Sequence, residues 1–177
     1  MLNGNLGCVK WHVGNVLSDY VQSGGRLILA TNYWQKSGSG VNQWGALEDI
    51  DPFEREALAA GIEYGLDEMV IDSTLGHPVT EGIDDGTVKS YDHGGVVLKD
   101  EGTAIAIAKW ASNDHPAIGV RTNQCIVSVT ASPIHENRCY QGCPGNVDTV
   151  DYVGINFYKL WRNVFLFATT GFEPNWP

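Results

Sequence analysis

Basic side chains are scarce in this chain. Eleven Lys and Arg stand against 21 Asp and Glu, a formal net charge of −10. That balance disfavours sequence-independent nucleic-acid binding, which draws most of its affinity from cations that neutralise phosphates. Cysteine is sparse too: Cys8, Cys125, Cys139 and Cys143 are the only four in 177 residues, too few for a disulfide-built scaffold. Long apolar runs are missing. The richest, Val164 to Ala168, falls far short of the roughly 20 residues that cross a bilayer, so no membrane association is expected. The opening Met1-Leu2-Asn3-Gly4-Asn5-Leu6-Gly7 has neither the charged start nor the apolar core of an export signal. Twelve Asn occur without one Asn-x-Ser/Thr acceptor, in keeping with a chain made outside a eukaryotic secretory route. Synthesis in a reducing, intracellular setting is the resulting expectation.

Catalytic signatures are also missing. None of the five histidines (His12, His77, His93, His115, His135) sits in an H-E-x-x-H arrangement, Ser73 has no G-x-S-x-G elbow, and Cys8 has no local signature of a catalytic thiol. The loop Ser37-Gly38-Ser39-Gly40 lacks the lysine of a phosphate-binding loop and is followed by Glu48, Asp49, Asp51 and Glu54, which would repel a phosphate. No cofactor is expected.

What the chain does have is a localised charge. Residues 48–101 hold 15 acids against Arg55, Lys89 and Lys99, a net of −12, whereas residues 1–47 carry +2 and residues 102–177 are neutral. A single-sign field on one face steers and selects partners, which makes Glu48, Asp49 and Asp51 candidate contact residues. A solvated helix face with acidic loops is the plainer reading of the same run. Aromatic side chains are plentiful, with six Trp, seven Tyr and five Phe. Trp161, and Trp176 in the tail Phe172-Glu173-Pro174-Asn175-Trp176-Pro177, are candidate interface anchors, since a large aromatic near an element end plugs a core or meets a neighbour.

The order of elements follows from periodicity. Val9, Val13, Val16, Leu17, Tyr20 and Val21 share one helical face, predicting a helix over 8–22 that stops at Ser23-Gly24-Gly25. Arg26 to Trp34 reads as a buried strand. Asp51, Pro52 and Glu54 carry the signals of a capped helix start, which predicts a second helix from Pro52 to Tyr64. From Met69 onward the pattern turns to short β-prone runs: 69–71, 87–91, 96–98, 103–110, 118–121 and 125–130. A further strand is expected over 149–155. Phe157 to Trp161 suits a helix, and Val164 to Thr170 reads as strand. The whole chain, 1–177, is expected to form one α+β domain: two N-terminal helices with an intervening strand, followed by a largely antiparallel β-sheet.

Two constellations point to metal chemistry. Cys125, His135, Cys139 and Cys143 form a C-x9-H-x3-C-x3-C series whose side chains suit tetrahedral zinc, although zinc knuckles are usually spaced C-x2-C. A Cys139–Cys143 disulfide, or ordinary thiols, are the rival readings. Ile83-Asp84-Asp85-Gly86 is first a turn, with calcium through its carboxylates as the alternative.

These features favour a non-enzymatic structural or assembly protein that acts through subunit contacts, self-association included, such as a component of a virus particle or a phage head or tail. A carbohydrate-binding module using exposed Trp, and a metal-dependent hydrolase using groups such as Asp92 and His93, are the competing expectations.

Overall fold

The computed structural model describes residues 6–30, 44–55, 65–92, 96–99, 102–131 and 156–170. Helix α1 spans Leu6–Gln22, as its periodicity predicts. Gly14, Ser18 and Val21 form its buried face. Gly14 is required there, because a Cβ on it would collide with the carbonyl oxygen of Trp44. The helix stops where Gly24 adopts φ 93° and the Gly25 amide donates to the Tyr20 carbonyl at 2.9 Å, a left-handed termination that glycine adopts without strain. Strand β1, Leu27–Ala30, follows directly.

The second helix is not where the capping signals put it. Helix α2 is a single turn, Leu47–Ile50, and it ends at Asp51. Phe53–Arg55 then forms strand β2, antiparallel to β5, Val96–Leu98. Residues 56–64 lie outside the described residues. The Asp51 carboxylate does accept the amide of Phe53, at 3.0 Å, but it also accepts the Ser128 hydroxyl at 2.7 Å. The same side-chain bond that caps a helix here makes a turn into a strand. Tertiary contacts decide between the two. Arg121 takes the carbonyls of residues 49–51, and the Phe53 ring fills the space above Gly119, where a Cβ would run into it.

The main sheet has six strands in the order β1-β8-β7-β6-β3-β4. Beyond β1 these are β3 (Gly65–Ile71), β4 (Lys89–Asp92), β6 (Ala104–Trp110), β7 (Pro116–Arg121) and β8 (Ile126–Val129). Among these described strands only β1 and β8 pair in parallel, with Leu27 opposite Ile126, and the other neighbours are antiparallel. The α+β class is therefore as expected, in a mixed sheet. Slips in register between β6 and β7 around Ala108 explain why consecutive residues Ile107 and Ala108 are both buried, since a bulge breaks the two-residue alternation.

At β8 the sheet is covered on both faces, and all four of its residues are buried. Val127 and Val129 point into the larger core with Met69, Ile118 and Val120. Ile126 points the other way, into a core made with Val21, Leu29, Leu47 and Ile50. Helix α3, Phe157–Thr170, closes the larger core with Phe157, Leu160, Trp161 and Val164. Their i, i+3, i+4, i+7 spacing is helical throughout, and the strand expected over Val164 to Thr170 is thereby overturned. The strand expected over 149–155 lies outside the described residues.

Arg121 is the polar centre of the fold. Its Nε donates to the Ile50 carbonyl at 2.7 Å, Nη2 to those of Asp49 (2.9 Å) and Asp51 (3.0 Å), and Nη1 to Thr103 Oγ1 at 2.8 Å. Arg121→Met should orphan these buried carbonyls and lower stability by about 3–5 kcal/mol. Arg121→Lys, a point charge without the planar fork, should cost most of the same. Urea denaturation of the three proteins would check both, and a lysine variant as stable as the wild type would contradict the fork.

Candidate functional site

Among the described residues, those singled out in the sequence do not converge on one place. Asp51 is 1% exposed and Trp161 4% exposed, so both are spent inside this chain's own fold. The buried Nε1 of Trp161 has no hydrogen-bond partner among the described residues. Glu48 is half-buried, with its carboxylate accepting the Trp44 amide at 3.1 Å, and Asp49 is exposed on α2. Trp176 lies outside the described residues. Four further acids of the segment are put to local use. Asp67 accepts the Ser112 hydroxyl and amide, Asp72 caps the turn at Thr74, Asp85 accepts the Ile71 amide at 2.9 Å, and Glu68 pairs with Lys89 at 2.7 Å.

Cys125 is a free, half-buried thiol at the entry to β8, while His135, Cys139 and Cys143 lie outside the described residues. Residues 83–86 form the turn expected of them, with Thr87 donating to the Asp84 carbonyl through both its amide and its hydroxyl. Among the described residues, no group of three or more His, Cys, Asp or Glu is placed to hold a metal ion. None of their helices is long and apolar enough to cross a membrane.

Two features that sequence reasoning passed over stand out instead. The first is the outer side of α1. Val13, Val16 and Tyr20 are 44%, 66% and 52% exposed and recur at the i, i+3, i+7 spacing of a helix stripe. The sequence places these three on one helical face with Val21, but in the fold they are turned outward while Val21 is buried. The second is a cavity of about 530 Å³, for which no linear pattern exists. The end of α1 (Val21), strands β6 and β7 (Ile105, Val120), the loop to β8 (Gln124, Cys125) and Phe167 of α3 all face it, with His77 between them.

His77 is held from three sides. Its Nδ1 accepts the Val79 amide at 3.1 Å, capping the short 3-10 turn Pro78–Thr80. Its ring lies 5.0 Å from that of Phe167, centre to centre. Helix α3 fastens the same turn through Asn163 Nδ2, which donates to the carbonyls of Val79 (3.3 Å) and Glu81 (3.1 Å), and through Lys159 Nζ on the Gly82 carbonyl. Burial pulls the His77 pKa down from 6.5 to about 4, so the imidazole is neutral at physiological pH, as its acceptor role at Nδ1 requires.

No protein-family model matches the chain, and none of the curated proteins does. Its fold is similar to that of a crystal structure assigned as a GMP synthase subunit of Thermoplasma acidophilum, with a TM-score of 0.54 at 9% identity. The match covers 89% of this chain and 64% of that one. At that identity the likeness is one of fold.

The depressed His77 pKa has a stability consequence. The unfolded chain binds this proton near pH 6.5 and the folded chain only near 4. The stabilisation is thus complete above about 6.5 and is lost as pH falls to about 4, by roughly 3 kcal/mol in all. Urea unfolding between pH 7 and 4 should show this slope in the wild type and a shallower one in His77→Gln. Identical slopes would remove His77 as the cause.

Proposed function

We propose that this protein works as a non-enzymatic assembly component that associates with further copies of itself through the outer stripe of α1, as one subunit of a larger particle does. The supporting observation is the apolar stripe that this helix turns outward. A surface helix of a self-sufficient domain buries one apolar stripe and turns a polar face outward. Here Gly14, Ser18 and Val21 face the core, while Val13, Val16 and Tyr20 are well exposed on another side. Leaving such side chains in water forgoes roughly 1–2 kcal/mol apiece, and a contiguous patch of them marks a contact surface.

A second copy suits the stripe because Val13, Val16 and Tyr20 are uncharged, so the same patch on two copies meets without charge repulsion. Related by a two-fold axis, two α1 helices would bring the same patch together from both sides. Acidic Asp49 and half-buried Glu48 sit on the neighbouring α2, where they would supply a polar rim.

Val16→Asp combined with Tyr20→Asp should convert an associating species into monomer, with the circular dichroism spectrum unchanged. Sedimentation velocity of both proteins reads this directly. A wild type that stays monomeric at about 100 μM, a concentration at which even a weak specific contact is populated, would overturn the proposal.

A further inference from the structure

We propose that the cavity between α1, the β7–β8 loop and α3 is a binding site for an uncharged, ring-containing small molecule with an amide-type polar edge. This rests on observations separate from the α1 stripe. The volume of about 530 Å³ falls within the roughly 300–1,000 Å³ of small-ligand pockets. Its walls are mostly apolar, contributed by Val21, Ile105, Val120 and Phe167, so an entering ring is removed from water on several sides.

Charge sets the ligand class. Arg121 is the one ionic side chain in the described lining, and its guanidinium donates to the carbonyls of Asp49, Ile50 and Asp51 and to Thr103. An ammonium entering the cavity would lose hydration and face the Arg121 charge, and a carboxylate would lose hydration to a guanidinium whose N–H groups are already donated to the chain, so either carries a desolvation cost. A neutral molecule escapes it. Ring shape is favoured by the His77 and Phe167 rings, which face the cavity inclined at 50° to one another and give a flat guest edge and face contacts. The polar edge is met at the rim, where the carboxamides of Asn123 and Gln124 offer both donors and acceptors.

The cavity also contains its own reporter, the free thiol of Cys125. The test uses three probes of nearly equal shape: benzamide (neutral), benzoate (anionic) and benzylamine (cationic). Each is added to the full-length protein during iodoacetamide alkylation, and modification of Cys125 is followed by peptide mass spectrometry. Benzamide should slow alkylation of Cys125 about threefold or more, while benzoate and benzylamine should need roughly tenfold higher concentrations for the same effect. Ile105→Trp, which fills the cavity, should abolish the protection. Gln124→Ala, at the rim and outside the core, should weaken it several-fold with the fold intact. Failure of benzamide to protect at about 10 mM, beyond the weakest useful small-ligand affinity, would overturn the proposal. Equal protection by all three probes, or protection that survives Gln124→Ala in full, would do the same.

Discussion

The Arg121 guanidinium closes the open end of α2, and the course of the chain on that side of the sheet depends on it. A one-turn helix has no stability of its own, because its nucleus costs more than its few hydrogen bonds return. Its last carbonyls point inward and need donors. Arg121, on the same strand as Gly119, supplies them to three consecutive carbonyls at once. With Asp51 held in this way, its carboxylate turns to the Phe53 amide and the Ser128 hydroxyl. The chain then leaves as strand β2, lays Phe53 over Gly119, and offers an edge to β5. Lys99, just past β5, reaches back to the Glu48 carbonyl. Helix turn, β-ribbon and sheet are thus tied by one planar cation, in a geometry that lysine cannot reproduce.

The other side of the sheet is held by different means. Helix α3 seats four apolar residues on the strands and fastens the 77–82 segment with Asn163 and Lys159. That arrangement explains His77: its Nδ1 is an acceptor in the cap, its ring rests on Phe167, and burial keeps it neutral. The cavity opens where the two cores approach one another, lined by Val21 of one and Val120 of the other.

The sequence features that proved readable were those with local causes. Helix α1 announced itself by its apolar period and its glycine stop, and strands β5 to β8 by short β-branched runs between turn residues. The Asp51-Pro52-Glu54 signal misled because an aspartate accepting a nearby amide is common to helix caps and to turns. Only Arg121 and Gly119, far along the chain, separate the two outcomes. The segment Val164 to Thr170 misled because its β-branched and aromatic residues suit a strand, whereas Leu160 and Val164 fall on one helical stripe with Phe157. Trp161 and Asp51 looked like contact residues by type and were claimed by the interior.

By itself, the amino-acid sequence determined the α+β class, the helical period of α1, and an acid-rich middle segment with few cations to answer it. These follow from composition and from periods of two and 3.6 residues, which operate over a few neighbours. Only the tertiary structure decided the fate of Asp51 and its neighbours, the helical state of the last described element, the neutrality of His77, and the existence of the cavity. Each depends on groups distant in sequence meeting in space: a buried carbonyl takes whichever donor is nearest, and a void belongs to no single segment.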